Sequence, residues 1–126
     1  LRINAKYYSV DATLRNLIVG NTGRDTGHIL ENIVFLELIR RGYTVYVGQL
    51  AKGEIDFVAE KAGITEYYQV SETVLDPNTL NRELAPLEAI NDQYPKFLLT
   101  LDELNKNANY DGIQQRNVLE WLLETR

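Results

Sequence analysis

At 126 residues with a net charge of −5, the chain is expected to form one domain, 44% apolar and 25% charged, with a core of its own. No apolar run reaches 18 residues and no cleavable leader pattern opens the sequence, so a membrane-spanning helix is excluded and a cytoplasmic protein without a membrane partner is predicted. Cysteine is absent, ruling out disulfides and thiolate metal centres, and the acidic balance argues against non-specific nucleic-acid binding while leaving room for a local basic groove.

Methionine is also absent, position 1 included, and the expectation is a fragment of something longer. Residues 1–26 read as a lead-in, with a strand at Lys6–Val10 and a helix that Asp11 caps and Gly20 closes. Residues 27–100 form the core and 101–126 a C-terminal loop and helix. The strongest helix runs from Gly27 to Arg41. Asp25 or Thr26 can cap it, Arg40 and Arg41 suit its negative end, and Gly42 terminates it. Its apolar residues, from Ile29 to Ile39, go nearly all the way round, which predicts a central rather than a superficial helix. Glu31 and Glu37 are threaded into that apolar surface.

Tyr43–Val47 alternates as a strand, with Gly48–Lys52 as a connection. In Gly53–Ser71, Ile55, Phe57 and Ala59 alternate with Glu54, Asp56, Val58 and Glu60, and this period of two predicts one apolar face. Lys61-Ala62-Gly63 is the turn, with Gly63 free to adopt positive φ. The following strand puts Tyr67, Gln69 and Ser71 on one face, where Gln69 and Ser71 can meet Asp56. Burying such groups without partners costs free energy, so a metal, a hydrogen-bond network or solvent is required there.

Asp76-Pro77 is an N-cap with proline at the first helical position, opening a helix with Leu80, Leu84, Leu87 and Ile90 on one side. Pro86 is expected to kink or divide it. Lys96–Thr100 is an apolar strand, Leu101–Gly112 reads as an irregular polar loop, and Ile113–Asn117 as a short strand before a helix containing Trp121. The core order is α-β-β-β-α-β, an α/β fold with a mixed sheet flanked by helices. No P-loop is present, and a single histidine, His28, excludes a histidine-based zinc site.

A helix acid (Glu31), a strand aspartate (Asp56) and a pair two apart on the next strand (Gln69, Ser71) resemble the PD-(D/E)XK nuclease superfamily. More closely, Gly27-His28-Ile29-Leu30-Glu31-Asn32, Arg41-Gly42-Tyr43, Glu54-Ile55-Asp56-Phe57-Val58, Tyr68-Gln69-Val70, Tyr94-Pro95-Lys96 and Leu99-Thr100-Leu101-Asp102 resemble a prokaryotic ATPase family. Its members carry an AAA+-type ATP-binding domain followed by a nuclease-like C-terminal domain. The resemblance implies a restriction-endonuclease-like sheet and an upstream domain that binds ATP. It also implies a Mg²⁺ site at Glu31, Asp56 and Gln69, and a catalytic position at Ser71. Two departures stand out: Gln69 replaces the superfamily's third-strand acid, and Ser71 replaces its lysine. Lys52, Lys61 or Lys96 would have to supply a relocated lysine in an active enzyme. The implied function is a noncatalytic or weakly active accessory domain contacting the ATPase, DNA, a protein partner or another copy of itself. The alternative is a Mg²⁺-dependent DNA endonuclease.

Overall fold

A computed structural model describes residues 26–124 of the chain. The strand and helix expected before residue 26 lie outside the described residues. The elements run α1 (Thr26–Arg40), β1 (Thr44–Leu50), β2 (Gly53–Lys61), β3 (Ile64–Val70), α2 (Pro77–Glu88), β4 (Lys96–Thr100), β5 (Asn109–Tyr110), β6 (Ile113–Asn117) and α3 (Val118–Leu122). Among the described residues six strands form one mixed sheet in the order β1-β2-β3-β4-β6-β5. The β1–β2, β2–β3 and β5–β6 pairs are antiparallel, whereas β3–β4 and β4–β6 are parallel. The chain therefore has the α/β fold and core order expected from its sequence.

Each face of the sheet carries its own core. Leu30, Val34 and Leu38 of α1, at helical spacing, meet Phe57, Ala59, Tyr68, Val70, Phe97 and Leu99 together with Trp121 and Leu122 of α3. Tyr68 stacks on Phe97 at 5.1 Å between ring centroids and tilts against Trp121 at 5.7 Å. On the opposite face, Leu84 and Leu87 of α2 pack with Ile55, Val74, Leu98 and Ile113.

α1 differs from its expected central position. Only one stripe is buried, and Leu36 and Ile39 are 64% and 46% exposed, because the sheet covers the helix from one side. Its end is as the sequence predicts. Gly42 (φ 94°) donates to the Ile39 carbonyl and Tyr43 to that of Leu38, a Schellman closure.

β1 also runs further than expected, through Gly48 to Leu50, which pairs with Gly53. Between the pairs Tyr46↔Val58 and Gly48↔Ile55, the single residue Val47 stands opposite both Asp56 and Phe57. This β-bulge in β2 overturns the expected single apolar face. Phe57 and Ala59 enter the α1-side core, but Ile55 enters the α2-side core.

Asp76 caps α2 by accepting from the Asn78 N–H at 2.8 Å, with Pro77 at the first position. Pro86 does not divide the helix, which continues to Glu88; the proline lies in its last turn, close to where the helix ends anyway. The expected loop at 101–112 contains β5, which joins β6 through Asp111-Gly112, both at positive φ. Buried Asp102 fastens this end of the sheet. Its carboxylate accepts from the Thr73 hydroxyl (2.6 Å) and the Val74 N–H (2.9 Å), holding the segment after β3.

Candidate functional site

The bulge sets the geometry around Asp56. β2 and β3 pair regularly from Lys61↔Ile64 to Phe57↔Tyr68, and beyond that point side chains take over the ladder. The Asp56 N–H donates to Gln69 Oε1 at 2.7 Å, and the Val70 N–H donates to Asp56 Oδ2 at 2.8 Å. Gln69, only 3% exposed, donates through Nε2 to the carbonyls of Glu54 and Glu83, each at 3.2 Å. Of the three ways to accommodate polar groups between these strands, the structure uses the hydrogen-bond network. Gln69 ties together two strands and α2, and both of its functional atoms are engaged.

The electrostatics are acidic. Burial pushes the Asp56 carboxyl up from 3.8 to about 7, against the Val70 N–H, and the charges of Glu31, Glu83 and Glu54 push in the same direction. Glu83 is raised as well, by burial and by Glu31, with Arg82 opposing. Glu31 from α1 and Glu83 from α2 thus act on Asp56 from helices on opposite faces of the sheet. Sequence reasoning brought Glu31, Asp56 and Gln69 to one neighbourhood but missed Glu54 and Glu83. Glu54 was readable as the residue two before Asp56, whereas Glu83 had no comparable signal.

Ser71 lies just past β3; its hydroxyl donates to the Thr73 carbonyl at 3.0 Å and its N–H to that of Leu99. Two of the three candidate lysines are engaged with other groups. Lys61 donates to the Arg41 carbonyl at 2.6 Å and lies over the Tyr43 ring. Lys96 pairs with Asp92 at 3.0 Å and lies over Tyr67. Lys52 is exposed in the β1–β2 turn. His28 is exposed in the first turn of α1. Among the described residues no three His, Cys, Asp or Glu side chains group closely enough to hold a metal ion, and Asp56 Oδ2 and Gln69 Oε1 each accept from a backbone N–H.

A second buried polar group lies where α1 meets α3. Arg41, expected only to complete the helix end, is 6% exposed and stacks over Trp121 at 4.3 Å. Its Nη2 donates to the Trp121 carbonyl at 2.7 Å and its Nε to Glu37 at 2.6 Å. Burial would raise the Glu37 carboxyl, but the hydrogen bonds from Arg40 and Arg41 prevail and hold it below the ordinary range. Arg41 Nη1 and Trp121 Nε1 are buried without hydrogen-bond partners.

Among the described residues no helix is long and apolar enough to cross a membrane. The chain is 44% identical over 124 residues to an uncharacterized protein of Haemophilus influenzae. That match takes in 98% of this chain but 30% of the relative, so the chain spans less than a third of the length of the curated relative it matches. No family model matches the chain. No solved structure matches it.

Proposed function

We propose that the chain is a noncatalytic, nuclease-like accessory domain of a longer, ATP-binding protein of the AAA+ type, serving contact with that ATPase, a protein partner or DNA. The observation that carries the reading is the use made of Asp56 and Gln69. In a metal-dependent nuclease the corresponding oxygens bind the ion that generates hydroxide and neutralises the phosphate. Here both oxygens close a gap between two strands. Of the three candidate lysines, Lys61 and Lys96 are engaged with other groups rather than replacing the one missing at Ser71, and one such electrostatic contact is typically worth roughly 3–4 kcal/mol at the transition state. The α/β sheet and its core order support the nuclease-like reading. The longer Haemophilus relative supports the larger assembly, since most of its length lies outside the match.

The test is plasmid nicking in Mg²⁺ and in Mn²⁺, comparing the chain with its Asp56→Ala variant. The expected outcome is no metal-dependent nicking by either. Nicking that needs metal and disappears in Asp56→Ala would establish instead a Mg²⁺-dependent DNA endonuclease with a relocated lysine.

A further inference from the structure

We propose that the cleft between the end of α2 and the β5–β6 turn binds a guanidinium group carried on an apolar stem, as in an arginine side chain. The inference does not depend on the nuclease-like reading.

The cleft has a volume of about 420 Å³, within the range of sites that hold small ligands. Three parts of the chain wall it: the last turn of α2, the segment leading into β4, and the β5–β6 hairpin. Its apolar surface comes from Leu87, Ile90 and Ile113, which pack in the core on the α2 side of the sheet. Two tyrosines line it as well, and both are anchored. The Tyr110 hydroxyl donates to Gln115 Oε1 at 2.6 Å, and the Tyr94 N–H donates to Asp92 Oδ1 at 3.0 Å.

Charge selects the occupant. Four charged side chains line the cleft, and two of them, Lys96 and Asp92, answer each other. The Lys96 ammonium donates to the Asp92 carboxylate at 3.0 Å and to the carbonyls of Asp92 and Tyr94, each at 3.1 Å, so its three hydrogens are spent. Glu88 and Asp111 remain, and among the described residues neither has an ion-pair partner. The backbone adds to their field. Glu88 is the last residue of α2, where the helix presents the negative end of its dipole, and no basic residue occupies that last turn. A carboxylate is disfavoured at such a position unless a cation answers it. Two unpaired carboxylates and a helix C-terminus around an apolar cleft suit a cation on a hydrophobic stem. Guanidinium fits better than ammonium, because it is more weakly hydrated and stacks on aromatic rings, here Tyr94 and Tyr110.

Binding is read by NMR titration of the unaltered chain. Nα-acetyl-arginine methylamide should shift backbone amides within residues 87–96 and 110–113 saturably. Its citrulline counterpart, similar in shape but uncharged, should bind at least about tenfold more weakly, and the lysine counterpart should fall between them. Glu88→Gln combined with Asp111→Asn should weaken arginine binding at least about tenfold. Both positions are exposed, and asparagine tolerates the φ of 54° at position 111. Free arginine separates two sources of the group. Tighter binding of the blocked form assigns it to a polypeptide, tighter binding of the free amino acid to a small molecule, and the site stands in both cases. No saturable shifts, shifts centred elsewhere, or citrulline or lysine binding as tightly as arginine would overturn the proposal. So would a double variant that binds like the parent chain. Should that variant fail to fold, the citrulline comparison still decides.

Discussion

Gln69 places its side-chain oxygen 2.7 Å from the backbone N–H of Asp56, supplying the acceptor that the neighbouring strand would otherwise provide. The Asp56 carboxylate supplies the acceptor for Val70 in the same way. Two side chains thereby complete a sheet where the bulge has pulled its backbones out of register.

The first consequence is a dependence of stability on pH. An acid whose folded pKa lies above its unfolded one holds its proton more tightly when folded. For Asp56 the window lies between 3.8 and about 7, and stability should fall as pH rises through it. At about 1.4 kcal/mol per pKa unit, the loss is of order 2–4 kcal/mol. Asp56→Asn keeps an acceptor for Val70 and has no charge to desolvate. Urea denaturation at pH 5, 6, 7 and 8 should show the loss in the parent chain and a much flatter profile in Asp56→Asn.

A carboxylate at position 69 should harm the fold. Gln69→Glu removes both Nε2 hydrogens, leaving the carbonyls of Glu54 and Glu83 facing a carboxylate in an already acidic site. Leaving such groups unsatisfied costs roughly 1–3 kcal/mol, and more when a charge is buried. The melting temperature should drop, and more at pH 8 than at pH 5, where protonation relieves the repulsion. An unchanged melting temperature at pH 8 would show that Gln69 does not hold the strands together.

The β2–β3 turn offers a stabilising change. Ala62 and Gly63 join Lys61 to Ile64 with φ of 53° and 80°, the two-residue turn that favours Asn-Gly. A Cβ-bearing residue other than Asn or Asp is strained there. Ala62→Asn should raise stability by about 0.5–1 kcal/mol, readable as a higher denaturation midpoint with an unchanged slope.

Arg41 should rank among the costliest positions outside the apolar cores. Arg41→Met retains the stem but deprives Trp121 of its stacked cation and leaves its carbonyl without that donor. Glu37 keeps Arg40, so its charge is not abandoned. The expected loss is about 2–4 kcal/mol by chemical denaturation, larger than that for Arg40→Met on the same helix.

The element order was legible because core elements carry local signatures: Arg40 and Arg41 before the Gly42 stop, the Asp76-Pro77 cap, and the apolar run at Lys96–Thr100. Asp111-Gly112 was an equally good turn signal for β5, but the Asn and Asp content around it read as loop. The bulge left no such mark. Ile55-Asp56-Phe57-Val58-Ala59 satisfies a period of two whether or not a residue is inserted, and only the demand of two separate cores for Ile55 and Phe57 decides. At the site, Asp56 was expected to meet Gln69 and Ser71 on one face; Gln69 meets it through the Asp56 backbone N–H, and Ser71 turns to Thr73 instead. Glu83 approaches across the crossover between β3 and β4, a distance along the chain that no local pattern spans.

The bulge also bears on cooperativity. Since Ile55 and Phe57, two positions apart on one strand, anchor the hydrophobic layers above and below the sheet, neither layer can loosen without dragging on the other. The domain is thus stitched rather than stacked. The amides of β2 and β3 should open to solvent exchange only with the whole molecule, and heat should melt both layers in one transition whose calorimetric and van't Hoff enthalpies agree.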